Sequence, residues 1–231
     1  MINLFTTYYK DKSSEREKEL IYCINKNIEC KAIGKIYVLV ENAELPIIGN
    51  SKVIVTPISV RPTYSDYFRI INEVSGKRDY NVIANADIYF DGHLDFLKRI
   101  YLKKICFALT RWDIKEDGSA ILFDRNDSQD TWIFRGKIKN VNGDIFLGLP
   151  GCDNRIAWEI HKGGYKIFDP ALTIKSYHYH LSDKHNYTDI LNDPERVSRP
   201  YLLITPTVLK SNVIYFLKHA LKKNDIEIIY S

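Results

Sequence analysis

The stretch that decides the fold is Tyr80-Asn81-Val82-Ile83-Ala84-Asn85-Ala86-Asp87-Ile88-Tyr89-Phe90-Asp91. It begins as an apolar run with β-branched residues, a pattern that predicts a buried strand. Asn85 and Asp87 follow where that strand should end, two residues apart and on the same side of an extended backbone. Ligands of open α/β sheets bind at the carboxyl ends of the strands, so we expect a ligand site here. A carboxylate in that position suits Mg²⁺ or Mn²⁺, which commonly bridges a protein to phosphates.

The first half of the chain alternates predicted strands with amphipathic helices. Such βαβ units build a parallel sheet with right-handed crossovers. No G-x-G-x-x-G motif follows the first strand, which argues against a dinucleotide-binding Rossmann domain. The predicted strands before Tyr80 are Ile2–Tyr9, Lys35–Val40 and Lys52–Ile58. The predicted helices follow a Ser14/Glu17 capping box and a Thr63/Asp66 cap, with a third from about Leu94 to Leu102.

The second half has a mixed pattern. The helix opened by Gly151-Cys152-Asp153-Asn154 should end at Gly163-Gly164. Residues 181–207 have the composition of loops. Asn212 to Lys223 predicts a basic amphipathic helix that docks on the protein or contacts a membrane surface or partner. The strand candidates are Lys104–Trp112, Ala120–Phe123, Thr131–Phe134, Ile145–Leu149, Tyr165–Phe168 and Thr173–His180.

Composition sets broad limits on the kind of protein. The 231 residues, 45% hydrophobic and 27% charged, favour one α/β domain. A net charge of +4 is too mild to indicate nucleic acid, but it suits an anionic substrate or lipid headgroups. The four cysteines have no zinc spacing, and we expect reduced thiols of a cytosolic protein. We find no signal-peptide pattern and no apolar run of the ~20 residues that span a bilayer, so we expect a soluble protein, at most peripheral to a membrane.

Asn85-Ala86-Asp87 after a hydrophobic strand resembles the Asp-x-Asp element of the GT-A nucleotide-sugar glycosyltransferases. In that family the second acid holds a metal on the diphosphate, and the first position faces the ribose or sugar. Asn85 replaces the first Asp, so the metal would depend more on Asp87 and on ligands elsewhere. The resemblance covers roughly residues 1–185 and is closest to small stand-alone transferases such as the domain that glycosylates a chlorella-virus capsid protein.

The resemblance implies one α/β domain over residues 1–231, with a central, mostly parallel twisted sheet flanked by helices. Residues 1–103 would form the nucleotide-binding half and residues 104–185 a mixed acceptor and metal half. Residues 186–231 would form a C-terminal extension. The implied reaction moves a sugar, most simply from a UDP-sugar, to a hydroxyl of a glycan, glycoprotein or lipid, with Mn²⁺ or Mg²⁺ as cofactor.

Tyr177-His178-Tyr179-His180 is the second candidate metal-binding segment. In a strand the two histidines share a face, and neutral imidazole binds divalent transition metals. GT-A enzymes often supply a late His ligand, so the resemblance implies His178, or else His180, on the metal. The alternative is a pair of surface or hydrogen-bonded histidines. A zinc-only site would need further ligands at suitable spacing, which the sequence lacks.

Donor contacts are expected at the end of the first strand and at the junction before the second helix. The resemblance puts the first segment beside the nucleobase, where hydroxyls can hydrogen-bond and a Tyr can stack. At the junction, an Arg can pair with a phosphate near helix N-terminal amides. Solvated strand and helix ends are the alternative. The residues concerned are Thr6, Thr7, Tyr8, Arg61 and Tyr64.

Sugar handling is expected from Arg111, Asp130 and Trp132, because Arg and Asp can bind hydroxyls and Trp offers an apolar face. A core Trp and a surface ion pair are the alternative. Asp153 is the candidate general base of an inverting enzyme, with Asp130 in reserve, although Asp153 also suits a helix N-cap. In a retaining enzyme the two acids would only orient sugars.

Two rival functions remain open at the level of sequence. A sugar-nucleotidyl transferase usually has a glycine-rich basic loop after the first strand, and Thr6–Lys12 contains no glycine. A non-catalytic binding module is favoured by Asn85, because a missing acid weakens metal binding.

Overall fold

The computed structural model describes residues 1–47, 49–182, 194–209 and 226–230. The helices are α1 (Ser14–Glu29), α2 (Tyr64–Val74) and α3 (Cys152–Lys162), with a 3₁₀ helix at Gly92–Arg99. The strands are β1 (Ile2–Tyr9), β2 (Lys35–Glu41), β3 (Val53–Ile58), β4 (Tyr80–Ala84), β5 (Ile88–Tyr89), β6 (Ile105–Leu109), β7 (Trp112–Ile114), β8 (Ala120–Leu122), β9 (Thr131–Arg135), β10 (Lys166–Phe168), β11 (Tyr177–His178), β12 (Tyr201–Ile204) and β13 (Ile226–Ile229).

A seven-stranded sheet forms the centre, in the order β10-β6-β9-β4-β1-β2-β3. Six strands are parallel, and β9 runs antiparallel between β4 and β6. A smaller sheet has the order β5-β11-β7-β8, and β12 pairs with β13. The predicted α/β class, with a mostly parallel central sheet, is therefore confirmed.

Both faces of the central sheet are covered, which explains its nearly continuous apolar strands. Along β1, Leu4 and Tyr8 belong to the core on the α1 side, whereas Phe5 belongs to the core under α2 and α3. Leu20 of α1 packs into the first core and Ile156 of α3 into the second. Successive residues of a strand thus serve opposite cores, as the two-residue repeat requires.

Several local predictions are confirmed and others are wrong. The Thr63/Asp66 capping box is present, but α1 is capped by Ser13 rather than Ser14, because the Ser13 hydroxyl accepts from Arg16 N. The expected strand at Ile145–Leu149 is reduced to one bridge between Phe146 and Thr63. The expected strand at Thr173–His180 is only two residues long. We did not predict β12 and β13.

The predicted amphipathic helix at Asn212–Lys223 lies outside the described residues. Within the described part of the chain, no helix combines the length and the apolar character needed to cross a bilayer. All four cysteines are buried free thiols.

Candidate active site

Asp87 lies in a tight turn that connects the central sheet to the smaller one. Asn85 N donates to the Asp130 carbonyl at 3.1 Å, and Ile88 N donates back to the Asn85 carbonyl at 3.2 Å. Tyr179 N donates to the Asp87 carbonyl at 2.9 Å, which ties the turn to β11. The expected extended backbone from Asn85 to Asp87 is therefore wrong, since the chain turns once it leaves β4. The turn still presents Asp87 at the carboxyl edge of the sheet.

Asp87, His178 and His180 come together although 91 residues separate Asp87 from His178. One ligand atom from each lies within 4.8 Å of the others. His178 Nε2 is 3.2 Å from Asp87 Oδ2, and the rings of the two histidines meet edge to face at 5.6 Å. His180 follows β11 instead of continuing it, yet it reaches the same cluster.

Asp113 orients His178 from behind. Its Oδ1 is 2.9 Å from His178 Nδ1, which assigns the proton to that nitrogen and turns Nε2 towards Asp87. A carboxylate on the outer nitrogen of a metal-binding histidine is the usual supporting contact. One carboxylate and two imidazoles, with this support, fit a divalent cation such as Mn²⁺.

The charged groups in and around the cluster shift one another's pKa values. Burial alone would raise the pKa of Asp87, but His178 and Arg16 outweigh it and hold that pKa well below its usual range. Burial opposes the charged form of His178, but Asp87 and Asp113 raise its pKa to about 9. For His180, burial and the nearby Arg16 lower the pKa to about 4. In the absence of a cation, these shifts leave an ionised Asp87, a protonated His178 and a neutral His180, and His178 would bind a metal through Nε2 after losing the proton on that nitrogen.

A cleft of about 580 Å³ opens over this cluster. It lies where β1, β2, β4 and β6 end, the edge at which open α/β sheets bind ligands. The cationic residues lining it are Lys10, Arg16, Arg61 and Arg111, and the other polar residues include Thr7, Tyr9, Glu41, Asn42, Asn85 and Asp130. Such a cleft suits an anionic, polyhydroxylated ligand.

Sequence reasoning missed Arg16, Glu19 and Asp113 around the cluster, and it also missed Tyr9, Lys10, Glu41 and Asn42 of the cleft lining. Arg16 Nη2 donates to Asp87 Oδ2 at 2.5 Å, and Arg16 Nη1 donates to Glu19 Oε2 at 3.0 Å. Asp113 ends the Arg111-Trp112-Asp113 run, so its position after a buried strand was an available signal. Arg16 and Glu19 resemble an ordinary solvated helix face, and the sequence gives no such signal for them.

The predicted donor residues divide into two groups. Thr7 and Arg61 line the cleft. The expected donor contacts of Thr6, Tyr8 and Tyr64 are corrected by the structure. Each of these residues is 2% exposed or less and lies outside the cleft lining. Tyr8 points towards α1 and donates to Glu17, since alternate residues of β1 face opposite sides. Tyr64 begins α2 and packs inward.

The expected contact of Trp132 with a sugar is also corrected by the structure. It lies within β9 in the middle of the sheet, is 1% exposed and meets Tyr64 edge to face at 4.9 Å. A Trp in a strand buried on both faces fills the core, so it cannot offer a face to a sugar ring.

Asp130 lines the cleft, and its contacts explain why position 85 is Asn rather than Asp. The Asn85 amide donates to Asp130 Oδ1 at 2.6 Å, and Arg111 Nη1 donates to Asp130 Oδ2 at 3.4 Å. An Asp at position 85 would put two carboxylates within hydrogen-bonding distance, which raises the free energy of the ionised pair. The departure from Asp-x-Asp therefore has a local physical cause.

Asp153 lies in the first turn of α3, next to this group. The helix is capped by Gly151 (φ 77°) without a side-chain bond, so the alternative of Asp153 as N-cap is wrong. Its Oδ2 accepts from Gln129 N at 3.2 Å, one residue from Asp130. Burial and the negative charge of Asp130 raise the pKa of Asp153 to about 7. Asp153 is outside the residues that line the cleft.

Comparison with known proteins shows relatives by fold. No family model and no curated protein match the chain. A mannosyltransferase from Pyrobaculum calidifontis, solved with GDP-Man and Mn²⁺, matches with a TM-score of 0.52 and 10% identity over 80% of this chain and 58% of that chain. TarS 1–349 from S. aureus, solved with UDP-GlcNAc, matches with a TM-score of 0.52 and 8% identity over 80% of this chain and 60% of that chain. The chain thus spans about three fifths of each solved structure. At such low identity these likenesses show the fold, and the chain has the α/β fold of the GT-A glycosyltransferases.

Proposed function

We propose that this protein is a metal-dependent glycosyltransferase that moves a sugar from a nucleotide-sugar donor to a hydroxyl acceptor. The observation that carries the proposal is the convergence of Asp87, His178 and His180 in a cleft lined by four cationic side chains. The two solved structures of the same fold were determined with GDP-Man and Mn²⁺ and with UDP-GlcNAc, which supports the same class of donor.

Asp87, His178 and His180 would hold the cation. A carboxylate oxygen combined with imidazole nitrogens favours Mn²⁺ over Mg²⁺, which prefers oxygen ligands. When bound, the cation would act as a Lewis acid that offsets negative charge on the departing diphosphate.

Donor binding is assigned to the rest of the cleft. Lys10, Arg61 and Arg111 bring positive charge to the region where a diphosphate would lie, and charge-assisted hydrogen bonds to phosphate are strong. We assign nucleoside binding to Thr7, near the end of β1, and to Glu41, at the end of β2, because both line the cleft. A UDP-sugar remains the first donor to test, with a GDP-sugar beside it.

We assign acceptor activation to Asp153, which does not line the cleft itself but accepts from Gln129 N, next to the cleft residue Asp130. A general base works best with a pKa near the operating pH, and the pKa of Asp153 is raised to about 7. Asp130 is held by Asn85 and Arg111, and we assign it to orient sugar hydroxyls. This division of roles describes an inverting reaction.

Calorimetry with UDP and GDP, each with and without Mn²⁺, tests the proposal. We expect one nucleotide to bind in a metal-dependent manner, and Asp87→Asn to abolish that dependence. Asp95→Asn is the matched control, because Asp95 is exposed on the 3₁₀ helix and pairs with Lys98. Release of the nucleoside diphosphate from a panel of nucleotide sugars then identifies the donor.

Two results of this nucleotide titration would overturn the proposal. Preferred binding of a free nucleoside triphosphate would indicate a nucleotidyltransferase. Absence of nucleotide binding under all conditions would indicate a non-catalytic module.

A further inference from the structure

The first two turns of α1 reach into the cation site. Arg16 bonds to Asp87 and to Glu19, and only 12% of its side chain is exposed. The Asp87 oxygen that accepts from Arg16 also faces His178. The guanidinium therefore uses the carboxylate oxygen that would bind a divalent ion.

Glu19 holds the opposite side of Arg16. Its Oε1 accepts from the backbone N–H groups of Leu181 and Ser182, both at 2.7 Å, and its Oε2 accepts from the Ser182 hydroxyl at 2.9 Å. These residues directly follow His180, so Glu19 anchors the backbone just past a candidate ligand. The carboxylate also offsets part of the charge of Arg16.

We infer that Arg16 and Glu19 set the affinity of the cluster for its cation in opposite directions: Arg16 competes with the cation for Asp87, and Glu19 favours cation binding. This inference rests on the proposed metal site. Arg16 also lines the cleft, where a diphosphate offers it another anionic partner. Cation and nucleotide should therefore bind cooperatively, because the nucleotide draws Arg16 away from Asp87.

Substitutions of Arg16 and Glu19 test the direction in which each residue changes the affinity for Mn²⁺. Removing a positive charge in contact with a cation ligand should tighten binding of Mn²⁺ alone, and removing the nearby negative charge should weaken it. We expect Arg16→Met to lower the Kd of Mn²⁺ roughly tenfold and Glu19→Gln to raise it by about the same factor. Arg16→Lys, which keeps the charge, should stay close to the wild type.

The same helix supplies a matched control. Lys26 and Glu29 form another i,i+3 ion pair at 3.4 Å, but their side chains are 40% and 69% exposed. Lys26→Met and Glu29→Gln make the same changes in charge at the solvent-exposed end of α1. We expect both to leave Mn²⁺ binding unchanged within about twofold, because exposed charges are screened by solvent.

Titration of each full-length variant with MnCl₂, followed by calorimetry, gives the measurement, and thermal melting checks folding. A second titration with saturating UDP or GDP measures cooperativity, which should be smaller in Arg16→Met than in the wild type. Weaker or unchanged Mn²⁺ binding by Arg16→Met would overturn the inference and leave the metal site standing. Absence of Mn²⁺ binding by the wild type, with and without nucleotide, would overturn both proposals.

Discussion

The pKa values of two aspartates in the candidate site are shifted in opposite directions. Asp87 is partly buried, yet His178 and Arg16 keep its pKa well below the usual range. Asp153 is also partly buried, but its carboxylate neighbour is Asp130, and burial together with that neighbour raises its pKa to about 7. Counter-charge, more than burial, separates the two groups. One remains an anion that can hold a cation, and the other can exchange a proton near neutral pH, a division typical of acid–base sites.

Loss of the anionic aspartate should have the largest effect. We expect Asp87→Asn to abolish metal-dependent nucleotide binding and to lower the transfer rate by roughly a thousandfold, because it removes a charged cation ligand. Calorimetry and nucleoside diphosphate release measure the two effects. Normal Mn²⁺ dependence in this variant would break the comparison, because Asp87 would then be an ion-paired structural residue.

The proton-exchanging aspartate should control the rate and its pH dependence. We expect Asp153→Asn to lower kcat by about a hundredfold. In the wild type, kcat/KM should rise about tenfold per pH unit until it levels off near pH 7, because Asp153 is a base only when ionised. The variant should lack this rise.

Stability separates that role from a structural one. The folded pKa of Asp153 is raised, so the wild type should lose stability as pH increases from about 4 through about 7. Asp153→Asn carries no charge and should melt at least as high as the wild type at pH 8. A variant that is both inactive and strongly destabilised at that pH would contradict the role of Asp153 as base.

An intermediate effect is expected from Asp113, which contacts the cluster through His178 and also accepts from Arg111 Nε at 2.9 Å. We expect Asp113→Asn to weaken Mn²⁺ binding by about tenfold, because the outer carboxylate fixes the imidazole. Titration with MnCl₂ measures this. Asp117→Asn, in the exposed turn between β7 and β8, is the control, and an equal effect of both variants would show that only net charge matters.

Local sequence patterns predicted much of the framework but not its pairing. Strand β1 and the Thr63/Asp66 box require only neighbouring residues, and both are present. Thr131–Phe134 was recognisable as a strand, but its antiparallel position between β4 and β6 depends on distant partners. That position decides that Trp132 is buried, and so our prediction for Trp132 failed.

The site residues that follow the end of a strand were predictable from the sequence, whereas those that lie on a helix were not. Asp87 and the two histidines are marked by their residue type and position. Arg16 is 71 residues from Asp87, and a polar helix face gives no indication of what it contacts. Long-range ion pairs of this kind depend on helix placement, which no local pattern specifies.

The smallest effect on activity is expected at a third aspartate, Asp169. It tests whether the pH dependence of activity depends on the position of a carboxyl group or only on its raised pKa. Burial raises the pKa of Asp169 to about 7, as for Asp153, but Asp169 is only 1% exposed, whereas Asp153 is half-buried. Its two oxygens accept from Thr110 N, the Thr110 hydroxyl and Ala171 N. An Asn can accept on one oxygen only, so Asp169→Asn should destabilise the fold by about 1–3 kcal/mol at pH 5.

That deficit should shrink between pH 5 and pH 9, because the wild type loses stability as Asp169 ionises and the variant does not. Denaturant unfolding at both pH values measures it. The rise of kcat/KM towards pH 7 should be the same in Asp169→Asn as in the wild type, since this carboxyl does not meet the substrate. If that rise disappeared with Asp169 and persisted in Asp153→Asn, the proton-exchanging group would be Asp169, and the contrast between Asp87 and Asp153 would no longer describe the chemistry of the cleft.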